Sequence, residues 1–121
     1  MKLALIIEDN IDNCVLITKI LDHAGYKTLT ADRGLQGYKL AVKKRPDFIL
    51  LDINLPDISG EEILKKIKQD QQTKSIPVIV ITSNAMLGDK ARLLAAGCNC
   101  YIEKPIDPDQ IIKQIKAVVG E

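Results

Sequence analysis

Short, wholly apolar runs alternate along this chain with longer stretches whose apolar residues recur at helical spacing. Leu3-Ala4-Leu5-Ile6-Ile7, Phe48-Ile49-Leu50-Leu51 and Val78-Ile79-Val80-Ile81 contain no polar residue, as expected of strands covered on both faces. Lys27-Thr28-Leu29-Thr30-Ala31 alternates polar with apolar and reads as an edge strand. Cys100-Tyr101-Ile102 is a short further run. The pattern predicts strand 3–7, helix 11–24, strand 27–31, helix 33–44 and strand 48–51. Helix 59–69, strand 76–81, helix 85–96, strand 100–103 and helix 107–119 follow.

The helix ends carry local signals. Gly25 and Gly97 suit the left-handed residue that closes a helix. Asp32 is the expected N-cap of the second helix, and Pro46 stops it. Ser59 is placed to cap the third helix, with Glu61 and Glu62 favourably set in its first turn. Asp107-Pro108 opens the last helix, in which Ile111, Ile112, Ile115, Val118 and Val119 form one apolar stripe.

Strict alternation of strand and helix implies right-handed crossovers and an α/β fold with a parallel sheet. The most apolar strands belong in the middle, which favours the strand order 2-1-3-4-5, already known from other doubly wound sheets. With 121 residues the chain reads as a single domain over 1–121 with no output domain. No stretch approaches the ~20 apolar residues that span a bilayer, and no signal peptide is evident, so the expected compartment is the cytoplasm. A net charge of +1 leaves no electrostatic footprint for nucleic acid. Cys14, Cys98 and Cys100 lack the spacing of a disulfide framework or zinc knuckle and read as structural thiols. His23, the single histidine, reads as a helix-end residue.

The polar residues that end the apolar runs change the picture. The first run ends in Glu8-Asp9, the third in Asp52, the fourth in Thr82-Ser83, and the fifth leads to Glu103-Lys104-Pro105. In open parallel sheets, ligands bind beyond the carboxyl ends of the strands, where the strand order reverses. That places Glu8, Asp9 and Asp52 together. Two carboxylates ~4 Å apart repel by roughly 4 kcal/mol at an effective dielectric near 20. Three carboxylates therefore need a counter-charge, and a hard divalent cation with oxygen ligands answers the need. Lys104 adds a fixed positive charge from the other side.

These residues, with Pro56 and Gly60 in the loop after Asp52, resemble the receiver domain of two-component response regulators over the whole chain. The resemblance implies a flavodoxin-like doubly wound (βα)5 fold. It implies that Asp52 is the phosphoacceptor, attacking a phosphohistidine of a histidine kinase or histidine phosphotransfer protein. Asp9, Asp52 and the backbone carbonyl of Asn54 would hold Mg2+, with Glu8 acting through a metal-bound water. Lys104 and Thr82 would bind phosphoryl oxygens. Thr82 and Tyr101 would form the switch that alters the face of the fourth helix, fifth strand and fifth helix for a downstream protein. Lys104-Pro105 is a candidate cis bond that aims the ammonium. Direct nucleic-acid or membrane binding is not expected. Nor is turnover of a substrate: the module would promote its own phosphorylation and dephosphorylation.

Asn54 and Asn84 occupy the positions that tune phosphate lifetime in such domains, and two neutral polar residues imply a moderate lifetime. Leu55 and Ser83 depart from the commoner Met and Ala. Ala85-Met86-Leu87-Gly88-Asp89 resembles receivers of hybrid kinases and of single-domain chemotaxis and cell-division regulators. Lys43-Lys44-Arg45 and the set Lys65, Lys66, Lys68 read as solvated charge, and Tyr26, Tyr38 and Phe48 as packing. Ile11, Cys14 and Val15 divide between core and a docking patch. Two rivals share the fold. A flavodoxin-like cofactor binder needs a hydroxyl- and Gly-rich loop where Glu8-Asp9-Asn10 stands. A Mg-dependent aspartyl phosphohydrolase usually carries D-x-D after its first strand, whereas Asp52-x-Asn54 follows the third.

Overall fold

The computed structural model describes residues 2–83 and 89–120. Its elements are β1 (Leu3–Ile7), α1 (Ile11–His23), β2 (Lys27–Ala31), α2 (Gly34–Lys44), β3 (Phe48–Asp52), α3 (Gly60–Gln69), β4 (Val78–Thr82), α4 (Asp89–Ala95), β5 (Cys100–Glu103) and α5 (Pro108–Val119). All strand pairs are parallel, in the order β2-β1-β3-β4-β5. The wholly apolar strands are the inner ones and the alternating β2 lies at an edge. Among the described residues, no helix is long and apolar enough to cross a membrane.

Period-two alternation divides the core between the sheet faces. Leu5, Ile7, Ile49, Leu51, Val78 and Val80 pack with Ile63, Leu64 and Ile67 of α3, Ala41 of α2 and Leu93 of α4. Ala4, Ile6, Phe48, Leu50, Ile79 and Ile81 pack with Ile17 and Leu21 of α1 and Ile111 and Ile115 of α5. Each fully buried Leu or Ile stabilises the fold by about 1.5–3 kcal/mol relative to exposure. Tyr26 and Phe48 meet edge-to-face with centroids 5.3 Å apart, a packing role as expected.

The Ser59 and Asp107 caps follow the sequence, and α1 adds an N-cap at Asn10. Asn10 Oδ1 accepts from the Asn13 amide at 3.0 Å, Ser59 Oγ from Glu62 at 3.2 Å, and Asp107 Oδ1 from Asp109 at 3.0 Å. Gly25 and Gly97 have φ of 93° and 110°, and α2 ends on Arg45 in the left-handed region just before Pro46.

Three readings need correction. Asp32 does not cap α2; its N-cap residue is Arg33, which makes no side-chain cap bond, and Asp57 from the β3–α3 loop takes the helix amides instead. β4 starts at Val78 rather than 76, because Pro77 has no N–H for the ladder and only accepts, from the Ile49 amide at 2.9 Å. Lys68 is not solvated like its neighbours. Its ammonium donates to the Ile76 carbonyl at 2.8 Å and to Asn99 Oδ1 at 3.2 Å, joining α3 to the loops that enter β4 and β5. The expectations for Asn84 and for the first turn of the fourth helix fall outside the described residues.

Ile11, Val15 and Leu16 on α1 are 76%, 47% and 41% exposed, while Ile17 and Leu21 are buried. Of Ile11, Cys14 and Val15, only Cys14 packs partly against the core, so the expected even division fails: one helical turn brings Ile11 and Val15 to the same exposed side. Cys14, Cys98 and Cys100 are free thiols.

Candidate functional site

β1 and β3 lie side by side, with Ile7 opposite Leu51, so the residues that end them are brought together. The Glu8 amide donates to the Ala31 carbonyl at 2.9 Å, carrying the ladder one residue past β1. Glu8 and Asp52 are 3% and 4% exposed, and Asp9 is open to solvent. One carboxylate oxygen from each of the three lies within 4.8 Å of the other two. From β5, the Lys104 ammonium stands 3.1 Å from Glu8 Oε1 and 3.7 Å from Asp52 Oδ2. The Lys104–Pro105 peptide is cis.

One ammonium does not balance three carboxylates. Burial first, and then the hydrogen bond with Glu8, push the Asp52 carboxyl up to about 7 against the opposing Asn54 amide and Lys104. Burial works against the Glu8 charge too, but the hydrogen bond with Asp52 and the Lys104 ammonium hold that carboxyl below its ordinary value. The negative charge therefore favours Glu8, while the Asp52 carboxyl is still partly protonated near neutrality. Glu8 Oε2 is buried without a hydrogen-bond partner among the described residues. An orphaned oxygen, excess negative charge and an all-oxygen donor set fit a hard divalent cation such as Mg2+, and contain no thiolate or imidazole for a softer metal.

Residues 4–116 match the family model of the response regulator receiver domain. The chain belongs to the response regulator receiver family. It is 42% identical over 120 residues to the polar-differentiation response regulator DivK of Brucella anthropi, covering 99% of this chain and 98% of that protein. The receiver domain of sensor histidine kinase PA1611 from Pseudomonas aeruginosa superposes with a TM-score of 0.91 at 30% identity, covering 99% and 98% of the two chains. That structure has magnesium coordinated in its active-site cleft. The chemotaxis protein CheY4 of Vibrio cholerae superposes with a TM-score of 0.92 at 29% identity, over 98% of each chain.

In this receiver Thr82 ends β4 and is buried, and its carbonyl accepts from the Lys104 amide at 2.8 Å. Thr82 pairs with Glu103 and Val80 with Tyr101, so Thr82 and Tyr101 stand on the same side of neighbouring strands. The Tyr101 ring packs against the α2–α3–α4 core, and its hydroxyl is buried without a hydrogen-bond partner among the described residues.

The loop after Asp52 is tightly placed. The Asn54 amide donates to Asp52 Oδ1 at 3.1 Å, and the Gly60 amide to the Ile53 carbonyl at 2.9 Å. A Cβ on Gly60 would stand 2.5 Å from Ile53 Cα and 2.6 Å from the Asp52 carbonyl oxygen, both backbone atoms. Gly60→Ala should therefore destabilise the receiver by about 1–3 kcal/mol in urea unfolding. It should also shift the Asn54 amide resonance. An unchanged midpoint would show that the backbone yields freely here.

Two features had weak sequence signals. Asp57 stands in a turn-like Pro-Asp pair, and only its contact with α2 marks it. Arg92 bridges Glu61 of α3 and, at 2.8 Å, Asp89 of its own helix. Together with Thr82 and Asn54 these three line a cavity of about 270 Å3 beside the site. A partner on a separate helix is not legible from spacing.

Proposed function

We propose that this receiver takes a phosphoryl group onto Asp52 from a phosphohistidine of a histidine kinase or histidine phosphotransfer protein. The observation that carries the reading is the convergence of Asp52 with Glu8, Asp9 and Lys104 at the reversal in strand order. Asp9, Asp52 and the Asn54 carbonyl are the proposed Mg2+ ligands, with Glu8 acting through a metal-bound water. Magnesium, when bound, would counter the charge on the transferring phosphoryl oxygens.

The chain's own groups would do the rest. An Asp52 oxygen attacks phosphorus, the P–N bond breaks, and its electron pair returns to the donor imidazole. Lys104, already beside Asp52, pairs with one phosphoryl oxygen and the Thr82 hydroxyl donates to another. Movement of Thr82 toward the phosphoryl group vacates space next to Tyr101. A buried hydroxyl without a partner costs about 1–3 kcal/mol, so a second position for Tyr101 lies within reach of a modest bias. The α4–β5–α5 face would then present the phosphorylated state to a downstream protein. The same reading places the module in the cytoplasm, where the kinase phosphohistidine is made. Neither rival is favoured: the acids crowd the place where a flavin phosphate would sit, and no second acid stands two residues beyond Asp52.

Beryllofluoride with Mg2+ mimics the phosphoryl group and tests the switch. Amide shifts should extend from Asp52 through Thr82 to Tyr101 and α5. Shifts confined to residues 8–9 and 52–54 would remove the relay.

The raised Asp52 carboxyl adds a pH dependence. The proton and the metal compete for the same oxygens, so Mg2+ affinity should be greatest above pH 7. It should fall up to about tenfold per pH unit below that, as one proton is displaced per ion bound. A titration between pH 5.5 and 8.5 followed by NMR measures the slope. A flat profile would show that Asp52 is already ionised in the free protein.

A further inference from the structure

We propose that Asp57 is a positioning residue for the metal-binding loop: by holding the first two amides of α2 it keeps the 53–60 segment where the Asn54 carbonyl meets the cation. The inference rests on the ligand set proposed above.

α2 starts without local help. Arg33 makes no side-chain cap bond, and the first turn has no acidic residue. Both oxygens of Asp57 replace that cap from 22 and 23 residues away: Oδ1 accepts from the Gly34 amide at 2.8 Å and Oδ2 from the Leu35 amide at 3.0 Å. These amides also hold the Asp57 carboxyl below its ordinary value, so it is ionised throughout the physiological range. The two segments lie flush. A Cβ on Gly34 would stand 2.7 Å from Ile58 Cγ2 and 2.7 Å from Ile63 Cγ1.

The loop is thus held at three points. Asn54 is tied to Asp52, Gly60 to Ile53, and Asp57 to a different element. Asp9, Asn54 and Asp57 line one cavity of about 410 Å3, so the clamp and two of the proposed ligand residues share a wall. Asp57 acts through the loop and not on the metal. A backbone carbonyl has no side chain to adjust its aim, and its position is set by whatever fixes the loop. Outer partners of metal ligands commonly change affinity by about 10–100-fold. An exposed tie acting through a loop should have a smaller effect, about threefold to tenfold.

Coupling is reciprocal, so bound metal must stabilise the clamp by the factor that the clamp contributes to metal binding. In the wild-type chain, saturating Mg2+ should slow hydrogen exchange at the Gly34 and Leu35 amides by about threefold to tenfold. Asp57→Ala should raise the Mg2+ Kd by the same factor while the labelling rate at saturating Mg2+ stays unchanged. Asp57→Asn, which keeps one acceptor oxygen, should fall near twofold. Asp47→Ala is the control: it removes a carboxylate bond to the Leu3 amide at the opposite end of the sheet. It should lower stability and leave Mg2+ affinity intact.

Unchanged exchange at Gly34 and Leu35, with amides around Asp9 and Asp52 clearly shifted by Mg2+, overturns the clamp and leaves the ligand set standing. Equal loss of affinity in Asp47→Ala also overturns it, since the effect would then be one of general stability. Absence of any Mg2+ response at Asp9 and Asp52 overturns the ligand set and the clamp with it.

Discussion

Asp52→Asn should abolish phosphorylation by acetyl phosphate and at the same time stabilise the metal-free protein. The first half follows from chemistry. An amide oxygen is a poor nucleophile at phosphorus, and no other group takes over the position, so labelling should fall by at least about a hundredfold. In the wild-type protein the label should need Mg2+ and should survive acid but not base, as an acyl phosphate does. Equal labelling of the variant would end the assignment of Asp52.

The second half follows from burial. The Asp52 carboxyl is raised from 3.8 to about 7. Between those values the folded chain binds more protons than the unfolded one, so stability falls as pH rises through this window. Above pH 7 the full penalty applies. At ~1.36 kcal/mol per pKa unit it is at most about 4 kcal/mol, and the lowered Glu8 carboxyl offsets part of it. Asparagine has the same shape and does not titrate. The variant should be more stable than wild type by about 1–3 kcal/mol at pH 8 without Mg2+, and close to it at pH 4.5. Urea unfolding at the two pH values checks this. A variant no more stable than wild type at pH 8 would show that the acidic cluster carries no strain in the free protein.

Lys104→Met should have the opposite effect on stability. Its ammonium lies 3.1 Å from Glu8 and 3.7 Å from Asp52, and it is the cation paired with those two buried carboxylates among the described residues. Methionine keeps the length and removes the charge. Breaking a buried pair from one side costs about 3–5 kcal/mol when fully enclosed, and the partial exposure of Lys104 reduces this to about 2–4 kcal/mol at pH 8. Both carboxyls then titrate at higher pH, so the loss should shrink toward pH 5, where protonation relieves it. Mg2+ should restore more stability to the variant than it adds to wild type, because the cation replaces the missing charge. Thermal unfolding at pH 5 and 8, with and without 10 mM-scale (~) Mg2+, separates charge from packing. A loss independent of both pH and metal would assign Lys104 a packing role.

The helix caps show where local reading succeeds. Ser59 and Asp107 accept from amides two or three residues ahead, and a bond that short in sequence is written in the sequence. Asp32 stood where such a cap belongs, yet α2 is capped by Asp57, because a neighbouring loop brings two oxygens to both amides at once. Lys68 misleads in the same way. Its place in a run of lysines suggests a solvated face, and its three acceptors, on Lys74, Ile76 and Asn99, lie six to 31 residues away.

The order of elements, the inner and edge strands and the polar residue at each strand's carboxyl end are all legible in the chain. All of these follow from the period and polarity of adjacent residues. Because the fold draws those strand ends into one place, the candidate site was legible too. How its charges divide is set by packing in three dimensions. Burial raises both carboxyls, and the closer approach of the Lys104 ammonium to Glu8, 3.1 Å against 3.7 Å, favours the charge there; neither burial nor that distance is a property of neighbouring residues. The same holds for the tie from Asp57 to α2, which exists because two segments far apart in the chain meet without a gap at Gly34.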